Sequence, residues 1–199
     1  MTHTTVTPSP TATSGTLSAI RSLHLIRVVF SLVWVALVLA TSGSLVPADE
    51  PTATAAVLLV VYPLWDAVAT LIERRTTGTG ATDRVGTANV VLGLVATAGM
   101  TAAVLSTVGT ALLVFGVWAL LSGALQLTVA LRRRRTVGAQ WPMVVSGGLS
   151  VLAGASFAVR SDAPDSGLSG LAGYSAFGAV WFLVSVIALS VRDRRAQNR

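Results

Sequence analysis

Six apolar runs, separated by junctions that alternate between arginine-rich and arginine-poor, constrain this chain more than any other feature. The runs are Leu23–Ala40, Ala53–Ile72, Thr87–Ser106, Thr110–Leu131, Trp141–Val159 and Leu171–Val191, each 18–22 residues long. At a helical rise of ~1.5 Å per residue, each is long enough to cross the ~30 Å hydrocarbon core of a bilayer. All 14 basic residues are arginine. Arg21 and Arg27 flank the start of the first run, and Arg74, Arg75 and Arg84 lie between the second and third. Arg132–Arg135 separate the fourth from the fifth, and Arg192, Arg194, Arg195 and Arg199 follow the sixth. The remaining junctions hold Arg160 alone, against Asp49, Glu50, Asp162 and Asp165. Arginine concentrates on the cytoplasmic side of membrane proteins. The expected fold is therefore all-α integral membrane, with six transmembrane helices and both termini in the cytoplasm.

Composition agrees with this class. Hydrophobic residues make up 53% and charged residues 11%, with a mean hydropathy of +0.73. Such values lie outside the soluble range. The net charge of +6 and pI near 11.4 would suggest nucleic acid in a soluble protein. Here the arginines sit at helix ends and form no continuous basic face, so nucleic acid is not an expected partner. Anionic lipid headgroups at the cytoplasmic face are.

The chain has no cysteine, and His3 and His24 are its only histidines. Disulfides and thiolate chemistry are excluded, and a histidine-based metal centre or nucleophile–His–acid triad lacks its parts at membrane depth. No catalytic, cofactor-binding or metal residues are assigned, and no enzymatic activity is expected.

Residues 1–20 begin MTHTTVTPSPTATSGT and read as a disordered Thr/Ser/Pro-rich tail; 21–195 form the transmembrane domain, and 196–199 a short cytoplasmic tail. Val38-Leu39-Ala40 resembles a cleavage site, but the first run is long for a signal peptide, so the helix is expected to stay.

Internal repetition is visible. Tyr62-Pro63-Leu64-Trp65, Phe115-Gly116-Val117-Trp118 and Phe177-Gly178-Ala179-Val180-Trp181 recur in the even-numbered runs. Val28-Val29-Phe30-Ser31, Val90-Val91-Leu92-Gly93 and Val144-Val145-Ser146-Gly147 recur in the odd ones. The pattern predicts three parallel two-helix repeats of roughly 55–62 residues, related by an axis along the membrane normal. The alternative is a shared composition of valine-rich spans.

Helices in lipid associate through small residues that let backbones approach. Gly116, Ala119, Gly123 and Ala130 form one such stripe in the fourth run, and Gly147, Ser150, Gly154 and Ala158 another in the fifth. Packing of the fourth helix on the fifth is the first use to consider, and homo-oligomerisation the second. Pro63 predicts a kink and Pro142 a helical first turn.

Only Arg27 and Asp66 place charge clearly inside the runs. At a helix centre either costs ~2.5–3.5 kcal/mol on the insertion scale, so each should be paired or functional. Both fall in the cytoplasmic half, within reach of one another. One reading is a bridge that fixes the first hairpin, or an Arg27 that snorkels to headgroups. The other makes Asp66 a titrating or cation-binding group. Tyr62, Asn89 and Gln126 are further polar groups at depth, with interhelical hydrogen bonding as their default role.

The stretch FGVWALLSGALQLTVALRRRR, followed by WPMVVSGGLSVLAGASFAV, resembles the HdeD-like acid-resistance membrane proteins. Tyr62 and Asp66 fall on that family's Tyr-x-x-x-Asp pattern, and Arg27 on its first-helix arginine. Val28 and Ala67 stand where glycine is usual in the family. The resemblance spans about residues 20–195. It implies a small six-helix protein of the bacterial inner membrane, multi-pass and stress-associated, and it does not imply an enzyme. A small transporter or channel subunit built around Asp66, and a membrane scaffold, are the competing classes. The ligand of either is unknown.

Overall fold

A computed structural model of the protein describes residues 10–78, 83–133 and 141–197. These form six α-helices: α1 (Pro10–Ser42), α2 (Ala53–Thr77), α3 (Arg84–Ala103), α4 (Val108–Arg133), α5 (Trp141–Val159) and α6 (Leu168–Gln197). Among the described residues no strand occurs. Four helices carry spans long and apolar enough to cross a membrane, Ser22–Ser42, Ala53–Thr76, Arg84–Ala103 and Val108–Arg132. Met143–Val159 and Leu168–Val184 are shorter apolar helices within α5 and α6. The fold is all-α and of the membrane class.

Two boundaries differ from expectation. α1 begins at Pro10, so half of the segment read as a disordered tail is helical. Proline has no N–H to lose in a first turn, and the Leu17–Ile20 stretch continues into the apolar run without a breaker. α6 runs on to Gln197, because Val-Arg-Asp-Arg-Arg-Ala-Gln likewise contains no breaker. Residues 1–9, together with Arg134, Arg135 and Arg199, lie outside the described residues.

Helix ends follow local chemistry. Thr52 caps α2 by accepting from the Ala55 amide at 3.2 Å, and Asp83 caps α3 by accepting from Gly86 at 3.0 Å. Gly78 ends α2 at φ 67°, a left-handed conformation open to glycine.

The tightest helix pairs are α4 with α5, α1 with α6, and α2 with α3. The hairpin partners α1–α2, α3–α4 and α5–α6 pack less closely. The six helices thus close into a ring of three hairpins, each leaning on the next, with α6 returning to α1. This is the arrangement expected of three parallel repeats about one axis.

Glycine makes the tight seams possible. A Cβ on Gly93 would stand 3.0 Å from the Ala67 Cβ and 3.2 Å from the Pro63 carbonyl of α2. A Cβ on Gly86 would stand 2.7 Å from the Arg74 Cδ. The α4–α5 seam repeats this seven-residue spacing, with Gly154 against Gly116 and Leu120, and Gly147 against Gly123 and Leu127. Packing therefore equates Gly93 with Gly154. The valine pairs suggested Gly147, so the third repeat sits one heptad away from the register they implied. In a valine-rich helix the VV pair carries little information, whereas backbone contact leaves no choice. Gly116, Gly123, Gly147 and Gly154 all lie in this contact, with Ser150 set against Gly123.

Aromatic rings fill the middle of the bundle. Tyr62 lies 4.5–6.2 Å, centroid to centroid, from Trp34, Phe115, Trp118 and Phe30. Phe115 also meets Phe157 and Tyr174. Ser175 donates to the Tyr62 Oη at 2.6 Å, and Tyr174 donates to the Ser150 Oγ at 3.0 Å.

At the arginine-poor end, Arg160 donates to Asp165 in the α5–α6 connection. That hydrogen bond, and then the guanidinium charge, hold the Asp165 carboxyl below the ordinary carboxylate range. A depressed carboxyl contributes stability above its unfolded pKa of ~3.9, and loses it as pH falls through the folded value. The expected result is an Asp165 side-chain carbon resonance that titrates below that of a free aspartate. Arg160→Gln should return it toward ~3.9; an unchanged midpoint would show that the pair does not persist in solution.

Candidate functional site: a polar cluster on four helices

On α1 the buried positions Leu23, Arg27, Ser31, Trp34, Val38 and Ser42 recur every three or four residues, so one face points inward. Arg27 is the one charge on that face, with its side chain 10% exposed. On α2, Asp66, Thr70 and Glu73 stand one turn apart along a single stripe. Glycine contact at positions 86 and 93 draws α3 against α2, and Asn89 lies midway between those two contacts.

The side chains converge accordingly. Arg27 Nη1 donates to Asp66 Oδ1 at 3.1 Å, and Asn89 Nδ2 donates to Asp66 Oδ2 at 3.1 Å. Asn89 also donates to Thr70 Oγ1 at 3.1 Å, and Arg27 Nη2 to the same oxygen at 3.4 Å. Arg27 Nη2 is 3.6 Å from Glu73 Oε2. The guanidinium carbon sits 5.2 Å from the centre of the Phe182 ring on α6, a cation–π contact. His24, one turn away on α1, packs its ring 5.8 Å from the same phenylalanine.

The seams explain why these residues meet. Arg27, Asn89 and Ser150 are spaced by 62 and 61 residues and occupy matching places on α1, α3 and α5. Each faces the preceding even helix: Asn89 faces Asp66 and Thr70, Ser150 faces Gly123, and Arg27 faces Phe182. Arg27 is long enough to leave its own seam and reach Asp66 in the next. It thereby ties together α1 and α2, which pack less closely than the seam pairs.

Both Asp66 oxygens are engaged, and the cluster pairs one cation with two carboxylates. Among the described residues no three His, Cys, Asp or Glu groups converge on one point. The cluster's chemistry is ion pairing and hydrogen bonding. Of the other polar groups singled out in the sequence, Gln126 donates to the Met143 carbonyl at 3.5 Å across the α4–α5 seam, and Tyr62 belongs to the aromatic centre. Thr70, Glu73 and Phe182 were not legible as site residues. A phenylalanine or threonine in an apolar helix carries no signal, although the i, i+4, i+7 spacing of Asp66, Thr70 and Glu73 was readable.

With this geometry in place, comparison adds one result. Residues 84–159 match a family described as a short repeat of unknown function (DUF308). The match runs from the first residue of α3 to the last of α5, so it takes in the whole α4–α5 glycine seam. No curated protein and no solved structure matches the chain.

Proposed function

We propose that the protein is a non-enzymatic, multi-pass protein of the bacterial inner membrane that supports the envelope under acid or related stress. Both termini face the cytoplasm in this reading. The Arg27–Asp66–Asn89 cluster is its structural lock. The observation that carries the reading is the engagement of Asp66 from two sides: each carboxylate oxygen accepts from a side chain of another helix. A group held from two sides favours fastening over proton exchange. The ring-filled centre of the bundle also favours a structural role over a polar path. The resemblance to HdeD-like proteins motivates the stress assignment; the match to a short repeat of unknown function supports only a membrane protein.

A second reading, in which Asp66 titrates or binds a cation in a small transporter, draws on its 25% side-chain exposure. Charge exchange separates the two. Arg27→Asp and Asp66→Arg alone should each prevent the protein from accumulating in membranes. The double exchange should restore both accumulation and the acid survival of a deletion strain. Restored accumulation without restored survival would give Asp66 a chemical role and overturn the lock. A membrane scaffold would show itself by a defined partner that co-purifies.

A further inference from the structure

An open-sided groove of about 590 Å³ runs along α3, lined among the described residues by Arg84, Thr87, Ala88, Val91, Leu92 and Val95. Below its first turn it is apolar, and Val91 and Val95 are 53% and 64% exposed. Arg84 is exposed at one end and makes no hydrogen bond or ion pair among the described residues. Its neighbour Arg74 differs, being engaged with Asp83 and Thr87. From Arg84 to Val95 the helix rises about 16 Å, roughly half of the hydrocarbon core, which is the depth of one leaflet. A free cation therefore stands at the interface end of an apolar track one acyl chain deep.

We propose that this groove is a binding site for an anionic phospholipid, its phosphate on Arg84 and one acyl chain along Ala88, Val91 and Val95. The charge selects an anionic headgroup, since an arginine at the membrane surface attracts one. Ala88, the smallest side chain of the lining, leaves room for the chain beneath the headgroup. The site is independent of the Arg27–Asp66 cluster and of the function proposed for it.

The test is native mass spectrometry of the full chain in detergent, titrated with phosphatidylglycerol or with phosphatidylcholine of identical chains. The wild type should retain phosphatidylglycerol in preference. Arg84→Ala should reduce that preference roughly fivefold, and Ala88→Trp should lower retention of both lipids. Val57→Trp, on an exposed position of α2, should change neither. Inorganic phosphate should fail to compete, because the acyl chain supplies much of the binding. Circular dichroism of each variant establishes that the helices are intact. Wild-type phosphatidylglycerol retention in both Arg84→Ala and Ala88→Trp would overturn the proposal. So would an Ala88→Trp variant that changes only oligomeric state, since the groove's occupant would then be a second copy of the chain.

Discussion

Replacing Asp66 with alanine is expected to destabilise the folded protein by about 3 kcal/mol, because it leaves the buried Arg27 without its nearest counter-charge. The remaining carboxylate near Arg27, Glu73, stands 3.6 Å away with its side chain 40% exposed, and so offers weaker compensation. Asn89→Ala removes neutral donors and should cost far less, about 0.6 kcal/mol for each interhelical hydrogen bond lost. Arg27→Ala should fall between these, since Asp66 keeps Asn89 and retains partial exposure. Equilibrium unfolding in bicelles orders the three variants. Equal losses for Asp66→Ala and Asn89→Ala would mean that the charge pair contributes nothing beyond hydrogen bonding.

Gly154→Leu is expected to open the α4–α5 seam. A Cβ at position 154 would stand 2.3 Å from the Leu120 nitrogen and 2.6 Å from the Gly116 carbonyl, both backbone atoms that cannot rotate aside. The helices must separate, at a cost of about 3 kcal/mol or more as close packing is lost along the seam. Gly148→Ala is the matched control on the same helix. Nothing lies within 4 Å of its Cβ, and exchanging glycine for alanine in a helix should be neutral or gain up to about 1 kcal/mol. Thermal melting followed by size-exclusion chromatography distinguishes them. A Gly154→Leu protein as stable as Gly148→Ala would show that α4 and α5 do not touch as described.

Much of the architecture was legible because lipid imposes a strict rule: every run of about twenty apolar residues must be a helix. Arginine placement and the turn residues between runs then set the order of the hairpins. The small-residue stripes on α4 and α5 were readable for the same reason, since only close approach makes glycine useful there. What the sequence concealed was register. Gly86 and Gly93 sit in a chain with 18 glycines, and only contact across helices singles them out and aligns them with Gly147 and Gly154. The site was concealed in part as well. Arg27 and Asp66 stood out as charges in apolar runs, whereas Asn89 had no marked partner and Phe182 looked like any lipid-facing ring. Their meeting depends on how far α3 and α6 slide along their neighbours, a quantity fixed by packing and absent from periodicity. The helical start at Pro10 was missed because a polar composition suggested disorder where no residue forbade a helix.

The docking of α6 onto α1 bears on biogenesis. During synthesis α1 emerges well before α6 and must wait for it before its inward face is covered. Until α6 arrives a nascent chain therefore carries one unfinished flank in the bilayer, with His24 and Arg27 still lacking Phe182. A chain lacking α6 would leave that flank permanently open, with the Arg27 guanidinium deprived of its aromatic neighbour.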